Sequence, residues 1–342
     1  MRGCVGRGFV LAVAMAAASV DAAPPSAPPQ PLQGPGSALA VHGEVRVQEG
    51  ESGARGWTAF TPAAPVPARA PVIVFCHGWG ALDPAHYRAW IDHLVRRGNI
   101  VVWPNYQDGL LTPGERFLPN AVAGVHAALV ALERAGGVRP DLDRVAAVGH
   151  SAGGVLAAQL AAVAAREGLP RMRAVMAAEP GDGSREGRRR ASIPAVDLAA
   201  MPASTVFLVV VGADDHWAGE QVGLGLYDGA TRVPRASKNV LELQSDAHGA
   251  PALIANHAAA GAAAADAAPR LRNLQLGQRA DFRHAGDVDA LDGFGLWKPF
   301  DALLDTAFEQ RNRDVALGGT DAQLWMGRWS DGVRVAPLRV LR

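Results

Sequence analysis

The sequence predicts an α/β fold, a mostly parallel central sheet with helices on both faces. Three observations predict it. Short runs at 71–76, which is continuously apolar, and at 100–104, 144–148, 205–211 and 240–243, which are mostly so, read as buried strands. Helical spacing fills intervals between them, at 84–97, 121–134 and 155–165, and crossovers of that length join parallel strands. The stretch 145–154 reads as a buried strand, a turn of the form G-x-S-x-G at Gly149-His150-Ser151-Ala152-Gly153, and the start of a helix. A serine held at a strained strand-to-helix turn requires that layout.

The elements follow in chain order. Residues 1–23 read as a secretory signal, with Arg2 and Arg7, a 12-residue apolar run at 9–20, then Ala22 and Ala23. The run is shorter than the roughly 20 residues a membrane span needs, so no integral membrane segment is expected after cleavage. The expected location is secreted or periplasmic. Residues 24–38 form a proline-rich stretch that reads as a disordered or polyproline linker. Residues 39–342 read as a single domain, a size that allows a substantial core. Alternating runs at 41–47 and 57–61 suggest an antiparallel pair at the sheet edge. The helix at 121–134 stops at Gly136-Gly137, and a weaker strand at 174–178 runs into Glu179-Pro180-Gly181. Residues 185–190 read as a solvated basic loop, and 251–289 as an insert whose alanine-rich part, 258–268, is helical or poorly patterned. A helix is expected at 291–308. The last thirty residues, with Trp325 and Trp329, read as an extension packed on the domain.

Composition excludes several classes. Thirty-three basic residues balance 33 acidic ones, which is no footprint for nucleic acid or an anionic membrane. Cys4 lies in the leader, so Cys76 is the one cysteine of the mature chain, and no intramolecular disulfide is expected. No cysteine or histidine cluster has zinc-ligand spacing. Neither a metal nor a cofactor is expected.

In such sheets ligands bind beyond the carboxyl ends of the strands. Four strand ends carry reactive residues: His77-Gly78-Trp79-Gly80, His150-Ser151-Ala152, Asp214-Asp215 and Asp246-Ala247-His248. Ser151 is the expected nucleophile, and a serine hydroxyl needs a neighbouring base to act as one. Histidine suits that task, since its ordinary pKa of about 6.5 leaves it largely neutral at pH 7. His248 is the expected base, following the last strong strand and flanked by Gly249; His257 is its main rival. His150 adjoins the serine and leaves the turn in another direction, while His77 shapes the pocket. Asp215, three residues past the strand end, is preferred to Asp214 as the acid that holds the histidine tautomer. Asp246 reads as a loop cap. The oxyanion hole needs two backbone amides; Ala152 and Trp79 are the expected donors, with the Trp79 ring a possible wall for substrate.

These four segments, in this order, resemble the α/β-hydrolase superfamily over roughly residues 40 to 310. They are similar to those of dienelactone hydrolase, cutinase-like and platelet-activating-factor acetylhydrolase-like esterases. That resemblance implies an α/β-hydrolase fold, with Trp79 as both amide donor and substrate clamp, although His77 stands where cutinase-like members carry proline. It implies a serine hydrolase cleaving carboxylic esters through an acyl-enzyme on Ser151, with a small-molecule or lipid-like ester as substrate. A serine peptidase or amidase on the same fold, and a non-catalytic binding member, are the alternatives. One expectation is directly measurable: N-terminal sequencing of exported protein should begin near Ala22 or Ala23, and an intact Met1 on exported material would contradict the leader.

Overall fold

The computed structural model describes residues 23–184, 192–263 and 287–342. Most of the expected leader, the basic loop and the larger part of the 251–289 insert lie outside the described residues.

Nine strands form one sheet in the order β1-β2-β4-β3-β5-β6-β7-β8-β9. These are β1 Glu44–Glu49, β2 Trp57–Ala63, β3 Arg69–Cys76, β4 Ile100–Pro104, β5 Arg139–His150, β6 Met172–Ala178, β7 Val206–Gly212, β8 Lys238–Leu243 and β9 Arg339–Val340. Strands β4, β3, β5, β6, β7 and β8 run parallel, with β1, β2 and β9 antiparallel at the edges. This is the mostly parallel α/β sheet that the strand and helix pattern predicts, in the α/β-hydrolase fold that the resemblance implies.

Side chains alternate across a strand, and that alternation divides the core into two layers. Val72, Val74 and Cys76 of β3 face α2 (Phe117–Arg134) and α3 (Ala152–Val163), packing with Val125 and Leu156. Ile73 and Phe75 face the other side, with Trp90, Ile91 and Leu94 of α1 (Arg88–Arg96) and Phe300 of α5 (Lys298–Glu309). Phe75 meets Trp90 edge-on at 5.3 Å between centroids. Helix α4 (Gln221–Gly229) adds Leu226 and Tyr227 to the first layer. Because both faces are covered, the central strands carry apolar residues continuously, which is why they are conspicuous in the sequence.

Some elements differ from expectation. Helix α2 begins at Phe117, four residues early, because Pro119 falls in the first turn, where a missing N–H costs no helical hydrogen bond. The helix expected at 291–308 is a π-helical segment, Leu291–Trp297, continued by α5. Pro299 lies at the junction and has no N–H to carry a regular ladder across it. The tail forms short helices at Arg313–Ala316 and Asp321–Leu324 before β9 pairs with β8. No described helix is long and apolar enough to cross a membrane.

The proline-rich stretch is a strap on the domain and not a free linker. The Ala250 amide donates to the Pro25 carbonyl at 2.9 Å, the Ser330 amide to the Ser26 carbonyl at 3.0 Å, and the Gly36 amide to Asp301 Oδ2 at 2.8 Å. Prolines enter such a strap with little conformational freedom to lose. Asp301 is its anchor. The same oxygen meets His93 Nε2 at 2.9 Å and Arg97 Nε at 3.1 Å. Burial alone would raise the Asp301 pKa, but His93, Arg97 and the Gly36 amide outweigh it and hold the carboxyl below the ordinary range. The network's stabilisation is therefore complete above about pH 4 and lost as pH falls through the lower folded value. Asp301→Ala strands two buried donors and should cost roughly 3–5 kcal/mol by urea denaturation at pH 7. Its stability should also depend less on pH below about 4 than that of the wild type.

Candidate active site

Strand β5 ends at His150 and α3 begins at Ala152, so Ser151 alone makes the turn. Its backbone sits at φ 55° and ψ −121°, a conformation that a non-glycine residue adopts only when its surroundings impose it. Here they do. The Ser151 amide donates to the Ala178 carbonyl at 3.0 Å, and its own carbonyl accepts from the Gly154 amide at 2.9 Å. A Cβ on Gly149 would stand 2.1 Å from the Gly153 carbonyl oxygen, and one on Gly153 2.0 Å from that of Cys76. The two glycines of G-x-S-x-G are thus dictated by backbone packed on backbone.

The turn points Ser151 Oγ at a histidine. His257 Nε2 lies 2.9 Å from that oxygen, and His257 Nδ1 lies 2.8 Å from Asp215 Oδ2. A carboxylate can only accept, so Nδ1 carries the proton and Nε2 is left to take one from the serine. The other Asp215 oxygen accepts the Trp217 and Ala218 amides, each at 2.9 Å. Burial pushes the Asp215 pKa up, but His257 and these two amides win, and the carboxyl stays below the ordinary range. Trp217 lies nearly parallel to His257, at 6.3 Å between ring centroids and 7° between planes. Asp214 has separate work: its amide donates to the Ala255 carbonyl at 3.0 Å, and its carboxylate accepts from Ser245 Oγ, which in turn accepts the Ala255 amide at 2.8 Å. It ties down the segment that carries His257.

The histidine expected opposite the serine, His248, is elsewhere. It is exposed on the loop after β8, with Nε2 2.7 Å from Asp331 Oδ2 and its ring against Trp329, both on the C-terminal tail. The physical reason is a reversal in the chain. Asp246 and Leu253 exchange two backbone hydrogen bonds of 2.9 Å, so 247–252 form a loop tip turned towards the tail. Leu253 and Ala255 then bury themselves, and the chain returns across the end of β7 to bring in His257. The short apolar run Ala252-Leu253-Ile254-Ala255 just before His257 is a local signal that could have favoured it.

The expected amide donors are available. In the segment after β3, the Gly78 amide donates to Tyr87 Oη at 3.1 Å and the Gly80 amide to Gln107 Oε1 at 3.0 Å. Among the described residues, the Trp79 and Ala152 amides have no intramolecular acceptor. His77 is fully buried between Trp103 and Tyr106, both of its ring nitrogens facing carbonyls, so it fixes the segment's shape. The Trp79 indole packs on Phe117 and donates to the Leu110 carbonyl at 3.2 Å. Leu110, which accepts that bond, and Leu111 after it are 69% and 95% exposed, so this segment presents apolar side chains to solvent.

Sequence reasoning passed over two residues behind the serine, Tyr87 and Glu179. Glu179, at the end of β6, is wholly buried and has φ 46°, and neither carboxylate oxygen has an aligned hydrogen bond. Burial raises its pKa. Its Oε2 lies 3.4 Å from His150 Nε2. Among the described residues, ligand atoms of His150, Glu179 and His257 gather within 4.8 Å, as a cation would need. A metal there would compete with Ser151 and Asp215 for His257.

A serine at a strained turn, bonded to a histidine and through it to an aspartate on this sheet, defines an α/β-hydrolase. The chain belongs to that superfamily, among its serine esterases, and is an ester hydrolase at that coarse level. Residues 44–213 match the model of the Chlorophyllase family. The match spans β1 to the end of β7, just under half of the chain, and so includes Trp79, Ser151 and Glu179 but stops short of Asp215 and His257. No curated protein matches the chain. His257→Ala should lower ester turnover by roughly 10⁴–10⁶-fold, while His248→Ala should stay within a few-fold of wild type in the same assay.

Proposed function

We propose that the protein hydrolyses carboxylic esters through an acyl-enzyme on Ser151. The observation that carries the reading is His257 bridging Ser151 Oγ and Asp215 at 2.9 and 2.8 Å. Ser151 Oγ attacks the ester carbonyl carbon as its proton passes to His257 Nε2. Asp215 stabilises the resulting imidazolium and keeps its own proton state. The tetrahedral oxyanion lies against the Trp79 and Ala152 amides, where a single such donor accounts for about a hundred- to a thousand-fold in rate. Collapse breaks the bond to the alcohol oxygen, which leaves with the proton from His257. Water then gives a proton to His257, attacks the acyl carbon and releases the acid, restoring Ser151.

The substrate is an ester with an apolar portion. The exposed Leu110 and Leu111 beside Trp79 support this, and the name of the matched family makes chlorophyll one ester to assay. The protein acts after export, a reading supported by the apolar run and small residues of the first 23 positions. Cleavage at Ala23 would leave the strap contacts of Pro25 and Ser26 intact.

A fluorophosphonate probe should label wild type and not Ser151→Ala, with p-nitrophenyl esters turned over and peptide amides left intact. Folded wild type that takes no label would overturn the nucleophile, and cleavage of amides at rates like those of esters would make the protein a peptidase or amidase.

A further inference from the structure

The middle residue of G-x-S-x-G, His150, belongs to no step of the reaction above, yet it is buried directly behind it. Its two ring nitrogens face different things. Nδ1 lies 2.8 Å from Tyr87 Oη. Nε2 faces two oxygens, the His257 backbone carbonyl at 2.8 Å and Glu179 Oε2 at 3.4 Å. Two oxygens at Nε2 assign it the proton, which leaves Nδ1 to accept from the Tyr87 hydroxyl. The phenol oxygen in turn accepts the Gly78 amide at 3.1 Å.

The result is one directed chain. Gly78 N–H donates to Tyr87 Oη, Tyr87 O–H to His150 Nδ1, and His150 Nε2–H to the His257 carbonyl. Every donor has an acceptor, and bonds in such a series strengthen one another in a water-poor interior. The chain joins the two loops that the reaction needs in register. One end is the segment whose next amide, Trp79, points at the oxyanion; the other is the backbone of the base itself. These loops follow different strands, β3 and β8, and a pair of backbone hydrogen bonds also joins them further out, the Ala262 amide to the His86 carbonyl at 3.0 Å and the Ala89 amide to the Ala262 carbonyl at 2.8 Å; the His150 bond is made to His257 itself.

Resting on the serine-esterase reading, we infer that His150 and Tyr87 are positioning residues that hold the catalytic histidine and the oxyanion segment in mutual register, without touching substrate. Glu179 assists by fixing the proton on Nε2. The bond is made to the His257 main chain, so its loss leaves the triad's side chains present but displaced. A displacement on the order of 1 Å can cost a hundredfold in rate.

The test measures kcat and KM for a p-nitrophenyl ester, the fluorophosphonate labelling rate and the melting temperature across four variants. His150→Leu should lower kcat and the labelling rate together by about 10- to 100-fold, with KM little changed. His150→Gln, whose amide nitrogen reaches the place of Nε2, should recover most of that loss. Tyr87→Phe removes one oxygen with little change in packing and should fall between the two. Because both residues act through one chain, the Tyr87→Phe/His150→Leu double variant should be no slower than His150→Leu alone.

A purely structural role would lower the melting temperature and give glutamine no advantage over leucine. That result would overturn the inference, as would a His150→Leu variant labelled as fast as wild type. A wild type that neither turns over esters nor takes the label would overturn the nucleophile reading and this inference with it. If His150→Leu does not fold, the comparison of Tyr87→Phe with wild type decides on the same readouts.

Discussion

Gly149 and Gly153 stand where any side chain would strike a backbone oxygen about 2 Å away, and this close packing holds Ser151 at φ 55°. The rest of the site depends on that turn. A relaxed turn would direct Oγ elsewhere and lose the approach to His257 Nε2. The cost of a strained residue, on the order of 1–3 kcal/mol, is offset by β5 and α3, both buried and both anchored by neighbouring strands. A second non-glycine residue with positive φ, Glu179, ends the adjacent strand. Ala64, Tyr106, Gln310 and Asn312 share a positive φ elsewhere, but Ser151 and Glu179 stand at neighbouring strand ends, where the polar groups of the site converge.

Around the turn, polar groups are arranged by what each can donate or accept. Asp215 accepts two amides and one imidazole N–H, and so remains ionised although it is 4% exposed. Asp214, its neighbour, holds the backbone on which His257 is carried. The two adjacent aspartates therefore divide the work: one orients the His257 ring, the other its loop. Behind the serine, His150 and Tyr87 extend the same logic towards the oxyanion segment.

Much of the fold was legible because it follows from burial. Strands covered on both faces are apolar almost throughout, and β3, β4 and β7 announce themselves that way. The strap at 24–38 was not legible, since its order depends on Asp301, more than 260 residues away, and a proline-rich composition looks the same whether docked or free. Ser151 was legible from its glycines, and Asp215 from its distance past a strand end. His248 misled because a histidine beside a glycine just after a strand has the local features of a base. Its true partners, Asp331 and Trp329, lie some 80 residues on and leave no mark nearby.

By itself, then, the sequence determined the α/β class and singled out Ser151, Asp215 and the amides of Trp79 and Ala152 as the candidate site. These are local facts, set by burial period and by glycines that only a tight turn demands. Tertiary structure decided which histidine meets Ser151. The two-bond clamp between Asp246 and Leu253 turns one candidate out to the tail and carries the other back over β7. It also decided that His150, adjacent to the serine in sequence, meets His257 through the main chain of the latter. Such choices rest on contacts between residues 80 to 110 positions apart, and distance in the chain hides them from any local pattern.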